Sequence, residues 1–257
     1  MSTPLLEACN LSLGVGGRTL VRELSFQVRS GEVWCMLGRN GAGKTTLLHT
    51  AVGLRAPQGG ALRLAGRPLG DWPVAEAARQ RSFLPQSVHD SFSASVVDSV
   101  LLARHPYLSR WQWEGECERA LALDALKAVD LAGFERRDVL TLSGGERQRV
   151  ALAALLAQDA PLLLLDEPVS HLDLHHQVLV LQHLVALARV RAKGVLFTVH
   201  DLNLAARFAS HALLFMPQGA VRSGLIDDVL TEDALLAAFG HRVMRVESAR
   251  KTLFVPD

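Results

Sequence analysis

The sequence predicts an α/β fold: a mostly parallel sheet covered by helices on both faces, interrupted by a block of helices. Three observations carry this reading. Short apolar runs such as Val33–Leu37, Leu162–Leu165 and Val195–Val199 alternate with stretches of helical spacing, as strands buried on both faces do. From Ser95 to about Leu142 the pattern is helical throughout. No period of about 20–50 residues and no low-complexity stretch occurs, which excludes a repeat array.

The elements follow in order. Leu5–Leu13 and Leu24–Val28 read as short β segments, and Glu32–Leu37 as a buried strand that runs into a glycine-rich turn. Thr45–Gly53 has helical spacing and stops at a glycine; Ala61–Leu64 and Arg81–Leu84 are further strands. The helical block comprises Val96–Arg104 and Glu114–Leu131, where Ala120, Leu121, Leu123, Leu126, Val129 and Leu131 make an apolar face. Alternation then returns: helix Glu146–Ala157, strand Leu162–Leu165, helix Leu174–Arg191, strand Val195–Val199, helix Leu202–Phe208. The tail mixes short strands (Ala212–Phe215, Ala220–Ser223, Val243–Val246, Leu253–Val255) with one helix, Ala234–Phe239.

Composition narrows the function. A chain of 257 residues supports a core that needs no disulfide or metal staple. The 27 Lys and Arg against 26 Asp and Glu give a formal charge of +1, spread along the chain, which speaks against nucleic acid as a partner. With 49% apolar and 21% charged residues the chain folds. Its longest apolar run, Val150–Ala157, has 8 residues, against the ~18–20 that cross a bilayer. The N-terminus lacks a basic start followed by an apolar stretch, so the expectation is no secretory signal and a cytoplasmic chain. Cys9, Cys35 and Cys117 are odd in number and form no Cys-x-x-Cys pair, which suits reduced core thiols.

The chemistry concentrates at strand ends. Gly38-Arg39-Asn40-Gly41-Ala42-Gly43-Lys44-Thr45 fits the Gly-x-x-x-x-Gly-Lys-Ser/Thr pattern of phosphate-binding loops and lies between a strand and a helix, the context that confirms it. Glycines let the loop turn its N–H groups inward on phosphate oxygens, and the helix start adds its positive dipole end. Lys44 brings a mobile charge, and Thr45 a hydroxyl where Mg2+ bridging two phosphates sits. Asp166 and Glu167 follow the strand Leu162–Leu165, at the edge where open α/β sheets bind ligands. Alone, such a pair is equally a solvated turn; beside a phosphate loop, Asp166 reads as metal support and Glu167 as the acceptor of a water proton. His200 and Gln86 are further polar residues at strand ends. Leu142-Ser143-Gly144-Gly145-Glu146-Arg147-Gln148 opens a helix, either as an ordinary capped start or as a second anion-binding terminus.

In this order, Gly38–Thr46, Gln86, Leu142–Gln148, Leu162–Pro168, Ser170-His-Leu-Asp173 and His200 resemble the ATP-binding subunit of an ABC transporter over nearly the whole chain. The resemblance implies a P-loop NTPase core (1–90 and 145–257) with an N-terminal antiparallel β subdomain and a helical subdomain inserted at 91–144. It implies a homodimer holding two ATP molecules, each between the Gly38–Thr46 loop of one copy and Ser143, Gly144, Gly145 and Glu146 of the other. Lys44 and the loop amides, through Thr46, would bind phosphates; Thr45, Gln86 and Asp166 would hold Mg2+. Glu167 would be the base, His200 the sensor of the γ-phosphate, and Asp173 would lie at the dimer seam.

Softer features resemble the importers of iron–siderophores, haem or cobalamin: Ala103-Arg-His-Pro-Tyr107 before Trp111, His171-Leu-Asp-Leu-His-His-Gln177, and a chain that ends soon after the nucleotide domain. That likeness implies integral membrane permease subunits as partners, indirectly a periplasmic or lipid-anchored substrate-binding protein, and a place on the cytoplasmic face of the bacterial membrane. The alternatives are an ABC-type ATPase of another transporter class or a soluble non-transport ABC ATPase; against the latter stand a single cassette and only about 105 residues between Gly38 and Ser143, too few for long heptad segments. His171, His175 and His176 read as surface and seam residues rather than metal ligands. Phe92, Tyr107, Trp111 and Trp113 point to a groove for the membrane partner, with core packing as the alternative. Counted back from Gly31-Glu32, the position where many relatives carry an aromatic ring for adenine falls near Val15, which offers no stacking face, so weak discrimination of adenine is expected.

Overall fold

The computed structural model describes residues 3–88, 91–109, 114–170, 172–248 and 251–257. Strands β1 (Leu6–Val15) and β2 (Arg18–Val28) form a hairpin across Gly16-Gly17. Each is bulged where a non-glycine residue takes a positive φ, Asn10 at 46° and Glu23 at 47°. The extra residue keeps Ala8 and Leu11 on one strand, and Val21 and Leu24 on the other, facing the same core. The bulged N–H groups are satisfied across the hairpin, Asn10 donating to Ser25 Oγ at 2.9 Å and Glu23 to Ser12 Oγ at 3.2 Å. These bulges break the period-two pattern, which is why residues 18–23 do not read as strand from sequence.

Buried strand β3 (Val33–Leu37) ends at the glycine-rich loop, and helix α1 (Lys44–Ala51) leaves it, burying Leu47, Leu48 and Ala51. Then come β4 (Gly59–Leu64), the two-residue β5 (Arg67–Pro68), α2 (Val74–Gln80) and β6 (Arg81–Leu84). Helix α2 has no counterpart in the sequence reading because it buries only Ala77 and so shows no apolar stripe. Helix α3 (Val96–Leu101) is shorter than the expected Val96–Arg104; the chain continues as a 3-10 helix over Leu102–Tyr107, where Pro106 has no N–H to give an α-helix. Helix α4 (Glu116–Ala128) starts and stops inside the expected Glu114–Leu131, with Val129 leaving helical geometry and Asp130 at φ 59°. The rest is α5 (Gly144–Gln158), β7 (Leu162–Leu165), α6 (Leu174–Arg191), β8 (Gly194–Thr198), α7 (Leu202–Phe208), β9 (His211–Phe215), β10 (Val221–Leu225), α8 (Ile226–Val229), α9 (Glu232–Phe239), β11 (Val243–Ser248) and β12 (Lys251–Pro256).

Two sheets sandwich α1. One is antiparallel, β2-β1-β4-β5; the other has order β10-β9-β3-β8-β7-β6, parallel except for the β10–β9 pair. The wholly apolar strands divide their side chains between two cores. Leu162 and Leu164 join Trp34, Met36 and Leu196 against α1 and the antiparallel sheet, while Leu163 and Leu165 join Cys35, Phe197 and Leu214 against the helices of the other face. Helices α3, α4 and α5 pack on one another, tied by Arg104, which is buried, donates to the Ala157 carbonyl at 3.0 Å, and covers the Tyr107 ring at 4.0 Å. Of the cysteines only Cys35 lies in the core, where burial pushes its thiol well above the ordinary range. Cys9, on the outer side of the β1 bulge, and Cys117, in the first turn of α4, are exposed, correcting the expectation of three core thiols.

Leu164→Ala is expected to lower stability by about 2–5 kcal/mol, read as a lower urea midpoint at unchanged slope, whereas Val190→Ala on the exposed side of α6 should stay within about 0.5 kcal/mol. Equal effects would contradict the assignment of Leu164 to the core.

Candidate functional site

The register of the parallel sheet builds the site. Met36 in β3 is level with Thr198 in β8, and Phe197 with Leu165 in β7, so three strands end side by side at their carboxyl edge. The loop Gly38–Gly43, Asp166-Glu167 and His200 leave from that edge. A cleft of about 340 Å3 opens there, lined by loop residues Asn40, Gly41 and Gly43, by Lys44, Thr45 and Thr46 at the start of α1, and by Gln86, Glu167, His200 and Leu20.

The loop's glycines are dictated by its path. Gly38 has φ 146°, and a Cβ there would meet Phe215 Cβ at 2.8 Å; Gly43, which caps α1, has φ 112° and packs against Leu20 and Val21. The Lys44 ammonium folds back over the loop, donating to the Gly38 carbonyl at 2.7 Å and the Arg39 carbonyl at 3.2 Å. Burial lowers the Lys44 pKa, and the nearby charges of Glu167 and Asp166 work against that shift. A cation held by loop carbonyls beside a row of helix-start N–H groups is a preformed anion site.

On the neighbouring strand ends, Asp166 is buried; its Oδ1 accepts from Thr198 Oγ1 at 2.8 Å, while its Oδ2 is buried with no hydrogen-bond partner among the described residues. An orphaned carboxylate oxygen at this edge fits a divalent cation or its bound water. Glu167 takes φ 49°, which a non-glycine residue holds only when its surroundings over-determine it. They do so here: the Glu167 N–H donates to Thr198 Oγ1 at 2.6 Å, and its carbonyl accepts from Ser170 N–H at 3.1 Å and Ser170 Oγ at 2.9 Å. The side chain so aimed lies 2.8 Å, Oε1 to Nε2, from His200. With the carboxylate as acceptor, Nε2 is the donor.

Thr198 belongs to no motif that the sequence displays, yet it links Asp166 to the backbone of Glu167. The signal was present: it is the single hydroxyl in the otherwise apolar strand Gly194–Thr198. Ser143, Gly144, Gly145 and Glu146 stay outside the cleft. They form an exposed, reciprocally capped start of α5, Ser143 N–H donating to Glu146 Oε2 at 2.7 Å and Glu146 N–H to Ser143 Oγ at 3.3 Å. Backbone and side-chain hydrogen bonds from Ser143 hold the Glu146 carboxyl below its usual range. Asp173, also away from the cleft, caps α6 through His176, whose backbone hydrogen bond lowers its pKa. No group of three metal-ligating side chains converges among the described residues; His171, Trp111 and Trp113 lie outside them. Tyr107 is packed under Arg104 and Arg79 rather than left free, while Phe92 is exposed. No helix among the described residues is long and apolar enough to cross a membrane.

Comparison with known proteins agrees with this geometry. The family profile described as ABC transporter matches residues 21–170. The chain is 43% identical over 248 residues to the hemin import ATP-binding protein HmuV of Deinococcus radiodurans, covering 95% of this chain and 93% of that one. It is 38% identical over 239 residues to the cobalamin import ATP-binding protein BtuD of Halobacterium salinarum, covering 93% and 59%. Among solved structures, an inward-facing ABC transporter described as of metal-chelate type superposes with a TM-score of 0.86 at 28% identity, over 99% of this chain and 98% of that one. The dimeric ATP-binding cassette MJ0796, in a post-hydrolysis state bound to ADP and Pi, superposes with a TM-score of 0.75 at 26% identity, over 86% and 98%. The chain therefore belongs to the ABC transporter family, as one of its ATP-hydrolysing cassettes.

Proposed function

We propose that this chain is the ATPase subunit of a bacterial importer, acting as a homodimer on separate integral membrane permease subunits to drive uptake of an iron chelate, haem or cobalamin. The observation that carries the reading is a cleft furnished for phosphate, metal and water, together with a helix start, Ser143–Glu146, that lies outside it and reaches the surface. Each copy holds half of a site and offers the other half. The named imports of the relatives, hemin and cobalamin, supply the cargo class. The division into a nucleotide core (1–90 and 145–257) and a helical subdomain (91–144) belongs to this reading, as does the cytoplasmic membrane face. A groove of about 270 Å3 lined by Pro85, Val88, Ser99, Ala103 and Arg147 lies where β6 meets α3 and α5, a surface suited to a permease.

In the proposed mechanism Lys44 and the amides of Gly38–Thr46 hold the phosphates, and Thr45, Gln86 and Asp166 would hold Mg2+. When bound, Mg2+ neutralises charge on the phosphate oxygens. Glu167 accepts the proton of the water that attacks the γ-phosphorus, releasing ADP and phosphate, and His200 steadies the carboxylate through Nε2. Asp173, at the start of α6, faces the dimer seam. Closure on nucleotide and reopening after hydrolysis move the permease. A periplasmic or lipid-anchored binding protein would deliver cargo from the far side.

Glu167→Gln should bind ATP and dimerise in its presence while turnover falls about 10²- to 10⁴-fold, measured as phosphate release; hydrolysis near the wild-type rate would remove Glu167 from its role. Ser143→Arg should leave nucleotide binding to the single copy intact and abolish the ATP-dependent dimer on size exclusion. A dimer that persists would show that the α5 start is not the second half of the site. For cargo, the chain should co-purify with the permease and hydrolyse ATP faster when binding proteins loaded with haem, ferric siderophore or cobalamin are added. Stimulation by none of them would refute the cargo class.

A further inference from the structure

The face of the parallel sheet that α1 covers is built from Trp34 and Met36 of β3, Leu196 of β8, and Leu162 and Leu164 of β7. Alternation places Thr198 after Leu196, and Asp166 after Leu164, on that same face. Thr198 has no exposure at all. A valine would have the same shape in this apolar layer, so packing alone does not account for the hydroxyl. Both of its hydrogen-bonding functions are committed. The Glu167 N–H can only donate, so Thr198 Oγ1 is the acceptor at 2.6 Å, and the hydroxyl proton is left for Asp166 Oδ1 at 2.8 Å. That assignment decides which Asp166 oxygen is spare: Oδ2, buried with no partner among the described residues. Two residues further along the chain, His200 Nε2 holds Glu167 Oε1 at 2.8 Å. The end of β8 therefore grips Glu167 twice, by its backbone at Thr198 and by its carboxylate at His200, and the hydroxyl that does the first also holds Asp166.

We propose that Thr198 is a positioning residue of this ATPase: its one hydroxyl leaves Asp166 Oδ2 free for the metal and locks the left-handed backbone that aims the Glu167 carboxylate at the attacking water. The inference rests on the reading that Asp166 serves the metal and Glu167 the water. Thr198 acts only through these two carboxylates. A glutamate at φ 49° stays there because its N–H and carbonyl are both held; without the Thr198 acceptor the backbone relaxes and the side chain changes direction. A metal-binding carboxylate likewise depends on the group that hydrogen-bonds its second oxygen, which fixes the orientation of the first. One substitution at Thr198 thus disturbs two functions that lie on different residues, while Lys44 and the loop that bind phosphate keep their own contacts.

The test compares Thr198→Val, which keeps the shape and removes the hydroxyl, with Thr198→Ser, which keeps the hydroxyl and removes the methyl group. Phosphate release by the full chain gives kcat and KM separately, and the electron paramagnetic resonance signal of free Mn2+ gives metal affinity in the presence of ADP. Thr198→Val should lower kcat about 10- to 100-fold, with KM for ATP changed less than about threefold. It should weaken Mn2+ binding about 10- to 100-fold and leave ADP affinity in EDTA at the wild-type value. Thr198→Ser should recover kcat and Mn2+ affinity to within about threefold of wild type. A packing role predicts the opposite order, because valine fills the apolar layer and serine leaves a void. A serine chain as impaired as the valine chain therefore overturns the proposal. So does a valine chain with wild-type kcat or wild-type Mn2+ affinity, and so does a valine chain that loses ADP affinity in EDTA as strongly as it loses Mn2+. If Thr198→Val is too unstable to assay, Thr198→Cys takes its place, since a thiol is a weak donor and a weak acceptor, and the contrast with serine is read in the same way. Failure of the underlying reading is separately visible: a Glu167→Gln chain that still hydrolyses ATP, or an Asp166→Asn chain that binds Mn2+ as the wild type does, would remove those carboxylates from their roles whatever Thr198 does.

Discussion

The parallel register of β3, β8 and β7 is the constraint on which the site depends. Because Met36 is level with Thr198 and Phe197 with Leu165, the phosphate loop, the acidic pair and His200 leave the sheet at one edge. A slip of one residue in β8 would turn Thr198 away from Asp166 and expose its apolar neighbours on the wrong face. Two cores prevent it. Each strand sends alternate side chains to opposite sides, so both faces hold the register at once.

Around that edge, buried polar groups are arranged in pairs that leave one function open each. Lys44 satisfies two loop carbonyls with its ammonium and still carries a charge that burial makes costly, so an arriving anion offsets that cost. Asp166 satisfies one oxygen through Thr198 and leaves the other without a partner. Glu167 is held in a backbone conformation that only its surroundings permit, which fixes the direction of its side chain before any ligand binds. These three groups are the ones to which the proposed mechanism gives the phosphate, the metal and the attacking water.

The segment Ser143–Glu146 illustrates the opposite economy. Its capping box satisfies the N–H groups of Ser143 and Glu146 internally, leaving the helix start stable while exposed. A surface ready in each copy before assembly would suit the proposed dimer, because little ordering is required at each closure.

The sequence by itself determined the chemistry of Gly38–Thr46, since strand, glycine loop and helix are contiguous and a local motif carries its own geometry. It also determined which strands are buried on both faces, because an all-apolar run such as Leu162–Leu165 has no other stable place. Periodicity is blind where a bulge interrupts it, as at Asn10 and Glu23, and where a helix such as Val74–Gln80 buries one alanine. Only the tertiary structure decided that Thr198 ties Asp166 to Glu167 and that His200 rests on Glu167. These meetings follow from a strand order, β3 then β8 then β7, that does not run in chain sequence. Spacing along a polypeptide records which face a residue takes, whereas the neighbour it meets is set by how distant strands pair.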